Sequence, residues 1–290
     1  MASKIPFSVI AISLFLGLAF ATVDEDVGTV DFSYSGENGP SDWGMVKAAY
    51  SACASGKNQS PINIVKKNTV LKQNLQLHSR EYNAVANATL INWGHIIGLH
   101  YGGEVGWMEI NGKKYTFKQM HWHSPSEHLI NGKRFTAELH LVHEAEDHSN
   151  AVIAILYRYG NSPKELDPFL AKLGDAFQRL SKEKSDKDHV TQVNVGMFNT
   201  KPLTFNNHKF FRYVGSFTTP PCTENVIWTI LGKVRLISKQ QVEALKAPLN
   251  PGYKDNARPE QLLNGRQIEL HDEFEHLVTK LQTKKERTNL

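Results

Sequence analysis

Short apolar runs alternate with turn signals between residues 60 and 160, and this pattern restricts the fold more than any other feature of the chain. The turn signals are Gly102-Gly103, Asn111-Gly112 and Asn131-Gly132. Asn-Gly between two apolar runs is the strongest short-range indication of a β-hairpin. The pattern therefore predicts a series of short strands, several of them joined as hairpins.

Two later stretches have helical patterns. Asp167-Pro168 fits an N-cap followed by proline at the first helical position, with apolar residues at helical spacing after it. Ser238 and Gln241 fit a capping box that opens a short helix through Leu245. The 290 residues are 40% hydrophobic, enough for one substantial core. Because residues 31–272 show no repeat, linker or change of composition, we predict a single α+β, mainly β domain with short peripheral helices.

Residues 1–21 have the three parts of a secretory signal peptide. Lys4 supplies the positive charge, the apolar run at 9–20 follows, and Ala19-Phe20-Ala21 fits the cleavage site. A membrane-spanning helix is the alternative, but it needs about twenty apolar residues. We expect cleavage after Ala21, an acidic leader at 22–30, and entry of the mature chain into an oxidising compartment.

The chain has two cysteines, Cys53 and Cys222. In a secreted protein two such residues most simply form one disulfide, although a pair of unrelated buried thiols is the alternative. Two sequons begin at Asn58 and Asn87, and both are candidate glycosylation sites. Because Pro61 directly follows the first sequon, Asn87 is the better candidate.

The formal net charge of +4 is too small to indicate a nucleic-acid partner or any other particular one. Residues 273–290 contain a cluster of lysines and one arginine. We interpret this segment as a solvated basic tail.

The segment QMHWHSPSEH at 119–128 places two histidines where they can share a metal. Alternate residues of a strand point to one face, so His121 and His123 share a face with Gln119. The segment AELHLVH at 137–143 adds His140, on a strand expected to run antiparallel beside the first after the Asn131-Gly132 turn. Three neutral imidazoles without a nearby cysteine indicate a catalytic Zn²⁺ site with an open fourth position.

Polar residues beside the histidines support this interpretation. Gln119 and Glu138 lie two residues before His121 and His140 on the same face, where they can accept the outer N–H of each ring. The alternative is an ordinary surface strand that carries histidines by chance. His128 and His143 do not share the face, and we expect them to be hydrogen-bonded structural residues.

The two histidine segments, together with FSYSGENGPSDW, NQSPINI, NWGH, GSFTTPPCTENVIW and NARPEQLLNGRQI, resemble the α-class carbonic anhydrases, most closely the secreted plant members. The resemblance covers about residues 31–271. It implies a single domain around a central, mostly antiparallel, twisted sheet of about ten strands, with zinc at the bottom of a conical cleft.

The resemblance also implies a role for individual residues. His121, His123 and His140 match the three zinc ligands. Thr218 matches the threonine that accepts the proton of a zinc-bound hydroxide, and Glu127 the glutamate that receives the threonine's own proton. His95 matches the histidine that carries protons to solvent, a role that suits an ordinary imidazole pKa of about 6.5.

Further positions follow from the same resemblance. Tyr34 and Asn92 match residues that hold the connecting waters, and the main chain of Asn256 matches the support of the second zinc histidine. Cys53 and Cys222 match a disulfide that braces the Thr218 loop. The residues that match positions of the family's substrate pocket are Val142, Val152, Phe217, Thr219 and Trp228.

The implied activity is reversible hydration of carbon dioxide to bicarbonate and a proton, with sulfonamides and anions as inhibitors. Phe217 departs from the leucine of most active members, and we expect the larger ring to slow hydration. A storage or defence role of the dioscorin type is the alternative, and ester hydrolysis is expected only as a side activity. The expected destination is extracellular, in the apoplast or cell wall, with the vacuole or a chloroplast reached through the secretory route as further possibilities.

Overall fold

The computed structural model describes residues 30–72, 75, 78–80, 82, 85–162, 164–183, 190–200 and 208–275. The signal peptide, nearly all of the acidic leader and residues 276–290 of the basic tail lie outside these residues, so the predictions made for them stay predictions.

Strands dominate the described part of the chain. Five short α-helices accompany them: α1 (Trp43–Val46), α2 (Ala52–Ser55), α3 (Pro168–Ala171), α4 (Gly174–Leu180) and α5 (Lys239–Lys246). The strands are β1 (Asn63–Ile64), β2 (Val70–Leu71), β3 (His78–Arg80), β4 (Val85–Asn92), β5 (Ile97–Tyr101), β6 (Trp107–Ile110), β7 (Lys113–His123), β8 (Leu129–Ile130), β9 (Lys133–Arg134), β10 (Ala137–Glu144), β11 (Asn150–Tyr159), β12 (Thr191–Asn199), β13 (Lys209–Ser216), β14 (Glu224–Leu231), β15 (Arg235–Ile237) and β16 (Glu269–Asp272).

One large sheet forms the centre of the molecule. Its main path has ten strands in the order β12-β4-β5-β7-β10-β11-β14-β13-β16-β2, and β15, β3 and β6 pair beside this path. Most pairs are antiparallel, while β11 pairs in parallel with β14 and β15, and β16 with β2. The expected mostly antiparallel sheet of about ten strands is confirmed.

The sheet separates two hydrophobic clusters because alternate residues of each strand point to opposite faces. On β10, Leu139 and Leu141 belong to the larger cluster, which includes Phe169 and Phe177 of the helices. Val142, on the other face, belongs to a smaller cluster that includes Trp228. All eight residues of β10 are buried, so this strand lies at the centre of both clusters.

The Asn-Gly signals predict turns correctly, with one difference in what they join. Asn111-Gly112 connects β6 to β7, and both residues have positive φ (52° and 78°). Asn131-Gly132 closes a small hairpin of β8 and β9 in a separate three-stranded sheet. It therefore lies inside the connection between β7 and β10, which run antiparallel as expected.

The helix caps are also confirmed. The Asp167 carboxylate accepts from the main-chain N–H groups of Phe169 and Leu170 at 2.9 and 3.0 Å. The predicted helix is divided into α3 and α4. Ser238 and Gln241 form the reciprocal capping box at the start of α5.

Cys53 and Cys222 form the predicted disulfide, across a sequence separation of 169 residues. Both cysteines pack in a small cluster with Phe32 and Trp43, which fixes the N-terminal segment against the rest of the domain.

The two sequons differ in their surroundings. Asn87 is exposed on β4, whereas Asn58 is half-buried and the hydroxyl of its sequon residue Ser60 is bonded to Tyr213. This difference agrees with the preference for Asn87, and occupancy stays a prediction. Within the described ranges, the structure contains no helix of the length and hydrophobicity needed to cross a membrane.

Removal of the disulfide should lower stability mainly through the unfolded chain. A closed loop of this length corresponds to about 5 kcal/mol in the chain-entropy model, so the Cys53→Ser/Cys222→Ser variant should lose up to that free energy of unfolding. Urea denaturation measures the loss, and wild-type protein treated with dithiothreitol is the control that should match the variant. An unchanged free energy of unfolding would show that the bridge does not restrain the unfolded state.

Candidate metal centre

The register between β7 and β10 brings three histidines together. His140 lies directly opposite His121, and Glu138 lies opposite His123. The ring centroids are 5.1 Å apart for His121 and His140, 5.2 Å for His121 and His123, and 4.7 Å for His123 and His140. One ring nitrogen from each lies within 4.8 Å of the other two, which is the spacing of ligands around one metal ion.

Each ring donates its outer N–H to a fixed acceptor. His121 Nδ1 donates to Gln119 Oε1 at 2.8 Å, and His123 Nδ1 donates to the main-chain oxygen of Asn256 at 2.7 Å. His140 Nε2 donates to Glu138 Oε1 at 2.8 Å. These bonds select the tautomers whose unprotonated nitrogens face the common point. Gln119, Glu138 and Asn256 thus lie in hydrogen-bond contact with the three rings, as their predicted supporting role requires.

Burial keeps the three imidazoles in the form that binds metal. It lowers the pKa of His123 to about 4, lowers that of His121 well below its usual value, and also lowers that of His140. All three rings are therefore neutral at pH 7. His123 Nε2 is buried and has no hydrogen-bond partner within the described residues, as expected of an atom reserved for a metal. A set of three neutral imidazoles fits Zn²⁺ with an open fourth position.

The Glu138 carboxylate connects both histidine segments. Oε1 accepts from His140 Nε2 at 2.8 Å and from His128 Nδ1 at 2.6 Å, while Oε2 accepts from the main-chain N–H groups of Glu127 and His128, both at 2.8 Å. Burial alone would raise the pKa of Glu138, but the two imidazoles hold it well below its usual value.

His128, Glu138 and His140 also lie within ligand spacing of one another. Because the Glu138 carboxylate already accepts from both imidazoles, we interpret this second group as a hydrogen-bond cluster. His128 is thus structural, as predicted, and His143 is bonded to the hydroxyl of Tyr82.

Glu127 and Thr218 lie beside the three imidazoles. Glu127 is fully buried, and its Oε1 accepts from the main-chain N–H of Arg258 at 2.8 Å. Its Oε2 lies 3.5 Å from His123 Nε2. Burial raises the pKa of Glu127 to about 7, and the nearby Thr218 hydroxyl acts in the opposite direction. Glu127 Oε2 has no hydrogen-bond partner within the described residues, so the hydrogen bond expected between the two side chains stays a prediction.

The loop after β13 holds Thr218 in place. The main-chain N–H of Phe217 donates to Thr223 O at 2.9 Å, and that of Cys222 donates to Thr219 O at 2.8 Å. Cys222 is tied in turn to Cys53. The disulfide thus braces the Thr218 loop as the resemblance implies.

An apolar wall adjoins the imidazoles on the β10 side. Val142 lies opposite Val152, which lies opposite Trp228, so all three point to the face that carries the histidines. The Trp228 ring centroid is 4.8 Å from that of His140. Half-buried Phe217 packs against the same cluster.

His95 is half-buried beside Phe32. Its ring packs edge-on against Phe32, with centroids 5.1 Å apart, and its Nδ1 donates to Trp93 O at 3.2 Å. Burial lowers the pKa of His95 to about 4. In this position the half-buried ring therefore has a lower pKa than the ordinary value that suits a proton carrier.

The two residues expected to hold water differ from each other. The Tyr34 hydroxyl is buried with no protein partner among the described residues, which leaves it able to bind solvent. Asn92 instead lies opposite Ile97, which lies opposite Trp122, on the sheet face away from the histidines. Its amide donates to Pro248 O at 2.9 Å and its carbonyl accepts from Gly94 N–H at 2.8 Å. The water-holding role predicted for Asn92 is therefore wrong.

Arg258 supports the site although no sequence pattern indicates it. It is 1% exposed, and its guanidinium donates to Gln59 Oε1, Ser60 O and Cys53 O at 2.8–2.9 Å. These bonds fix the main chain of Arg258, whose N–H donates to Glu127 Oε1. The segment NARPEQLLNGRQI contains it, but an isolated arginine is ordinarily exposed, so nothing in the sequence marked it.

A buried three-imidazole site on a large twisted sheet is the arrangement of a catalytic zinc protein. The chain belongs to the eukaryotic-type carbonic anhydrase family, whose model matches residues 38–272. Alpha carbonic anhydrase 8 of Arabidopsis thaliana is 41% identical over 245 residues, which are 83% of this chain and 60% of that protein. Dioscorin DB3L of Dioscorea polystachya is 41% identical over 258 residues, 88% of this chain and 90% of that protein.

Solved structures with the same fold come from both kinds of relative. A dioscorin complexed with ascorbate has a TM-score of 0.78 and 37% identity, and the match covers 84% of this chain and 98% of that one. The α-carbonic anhydrase from Thermovibrio ammonificans in complex with the inhibitor sulfanilamide has a TM-score of 0.69 and 31% identity, over 83% and 99%.

Loss of the Glu138 charge should weaken metal binding. We expect Glu138→Gln to lower zinc affinity by about 10–100-fold, because the amide cannot accept four N–H bonds. Chelator competition measures the affinity, and Glu144→Gln is the control on the same strand, away from the imidazoles. An affinity within twofold of wild type would show that the carboxylate does not orient His140.

Proposed function

We propose that the protein catalyses the zinc-dependent, reversible hydration of carbon dioxide to bicarbonate and a proton. The observation that carries the proposal is the convergence of three neutral imidazoles beside the buried pair Glu127 and Thr218. Membership of the carbonic anhydrase family supports the same activity.

His121, His123 and His140 would hold the metal through the nitrogens that face their common point. Zn²⁺ in a site of this kind supplies a nucleophile at neutral pH by lowering the pKa of water from about 15.7 to about 7. The protein's part is to keep the three rings neutral and oriented, which burial and the three outer acceptors do.

Thr218 orients the attacking oxygen. A hydroxyl has one proton, and when Thr218 donates it to the Glu127 carboxylate, the Thr218 oxygen can only accept. It therefore fixes the proton of the nucleophile and aims a lone pair toward the substrate carbon. The role requires ionised Glu127, and a nearby dication favours that form of the carboxyl.

The apolar wall provides the place for carbon dioxide. Its residues Val142, Val152 and Trp228 present an apolar surface to the neutral, apolar substrate. They also exclude water beside the imidazoles. Phe217 reaches the same region from the loop that holds Thr218. Thr219, half-buried beside it, offers a polar group at the edge of the pocket.

Proton release is assigned to His95. In its described position the ring is neutral at pH 7 because burial lowers its pKa. We infer that the ring must become more solvated than it is beside Phe32 to carry a proton at neutral pH. The Tyr34 hydroxyl, which has no hydrogen-bond partner in the described part of the chain, supports a chain of water molecules in this part of the cleft.

The remaining expectations about ligands and destination are part of the proposal. A relative solved with sulfanilamide supports sulfonamide inhibition, and anions are expected to compete for the same open position. The disulfide supports passage through an oxidising compartment, as expected of a secreted protein, and exposed Asn87 could be glycosylated there.

A second candidate function is storage or defence. Similarity to dioscorins of Dioscorea species, in sequence and in structure, favours it. The two functions differ in measurable ways: an enzyme combines stoichiometric zinc with rapid hydration, whereas a storage protein accumulates in one organ with little activity.

Replacing a metal ligand tests the main proposal. His121→Ala should lose zinc and carbon dioxide hydration together, because two imidazoles do not complete the site. Stopped-flow hydration and zinc analysis of the purified mature protein measure both quantities. His148→Ala, at a side chain that is 68% exposed, is the control and should retain them. Wild-type protein with stoichiometric zinc and no hydration would contradict the enzymatic function.

The size of Phe217 should limit the rate. Phe217→Leu should raise the turnover for carbon dioxide, because a smaller side chain widens the pocket beside Thr218. Phe135→Leu changes another half-buried phenylalanine of the same cluster and should leave the turnover unchanged. If Phe217→Leu leaves turnover unchanged or lower, the ring does not restrict the pocket.

A further inference from the structure

The cleft has a second side, formed by β5. The register places Gly98 opposite His121 and His100 opposite Gln119. Cross-strand partners point to the same face of a sheet, so a side chain at position 98 would stand directly beside the His121 imidazole. Glycine leaves this place open for another residue.

The indole of Trp93 occupies that place. A Cβ atom added to Gly98 would lie 2.0 Å from Cζ3 and 2.3 Å from Cη2 of Trp93, so the ring lies where that side chain would be. The Trp93 centroid is 5.4 Å from that of His100, with the rings at 71°. Trp93 is half-buried. Since its ring covers the histidine-bearing face of β5, its exposed part faces the cleft.

The turn that carries Trp93 is closed by its own main chain. Trp93 N–H donates to Ile96 O at 3.0 Å, and Gly94 has a φ of 87° that suits glycine. Asn92 and His95 add the side-chain bonds to Gly94 N–H and Trp93 O already described. The indole is therefore anchored at its base and is held across Gly98.

The three imidazoles thus lie between two walls. The order β5-β7-β10-β11-β14 places Trp93 on one side, and Val142, Val152 and Trp228 on the other. We propose that Trp93 sets the width of the cleft above His121 and so selects metal-directed ligands by size, favouring single-ring compounds over fused-ring ones. The inference rests on the proposed function only in requiring a metal at the three imidazoles.

Two arylsulfonamides of different width test this role. Calorimetry on zinc-loaded protein would give the dissociation constants of sulfanilamide, with one ring, and naphthalene-1-sulfonamide, with two. Trp93→Ala should shift the ratio of the two constants by about tenfold in favour of the two-ring compound, a steric effect of ordinary size for a pocket. Trp107→Ala removes the other half-buried tryptophan, on β6, and should leave the ratio unchanged.

A second variant tests the contact itself. Gly98→Ala must displace the indole, so it should change the ratio in the wild-type background and have a much smaller effect in the Trp93→Ala background. Equal effects in both backgrounds, or an unchanged ratio in Trp93→Ala, would overturn the proposal. Failure of zinc-loaded wild-type protein to bind sulfanilamide would also overturn it, because an open cleft above the metal is its premise.

The outcomes separate this inference from the proposed function. If the ratio shifts as expected but carbon dioxide is not hydrated, the result supports the role of Trp93 in the cleft, and the proposed enzymatic function is wrong. If hydration is rapid and the ratio does not change, the function stands and the role of Trp93 is wrong.

Discussion

The hydrogen bonds accepted by the buried Glu138 carboxylate hold the other residues of the site in position. An anion removed from water costs several kcal/mol unless it is fully hydrogen-bonded, and here four N–H groups surround it. Two of them belong to the main chain at Glu127 and His128, and one to His140. One side chain on β10 therefore fixes the position of the main chain at Glu127 and His128 and the tautomer of a candidate metal ligand at the same time. The His128 ring extends this connection to Tyr213, which is bonded to Ser60.

The sheet supplies the second constraint, which is register. Because side chains alternate between faces, one row across the sheet holds Gly98, His121 and His140, and the next row holds His100, Gln119, Val142, Val152 and Trp228. Strand pairing consequently places the three candidate metal ligands, the acceptors Gln119 and Glu138, and the apolar wall. Asn256, Thr218 and Glu127 come from loops, and the loops of the last two are held by the disulfide and by Arg258.

Period-two alternation was sufficient to predict the three histidines and the acceptors Gln119 and Glu138, since strand geometry is local. The caps of α3 and α5 were predictable for the same reason. Asn92 was placed wrongly because a shift of one residue reverses the face of a strand, and Trp93 occupies the cleft instead. The packing of His95 against Phe32 joins residues that are far apart in the sequence, and the burial of Arg258 depends on contacts with residues near Cys53. Such long-range contacts leave no local pattern.

We propose that His121, His123 and His140 hold one metal ion, with Glu138 outside the coordination shell. X-ray absorption at the zinc edge of the loaded protein can establish this coordination. We expect three imidazole nitrogens at about 2.0–2.1 Å and one exchangeable ligand that a sulfonamide nitrogen replaces. A spectrum with a carboxylate and fewer than three imidazoles, as a metal bound by His128, Glu138 and His140 would give, would contradict it.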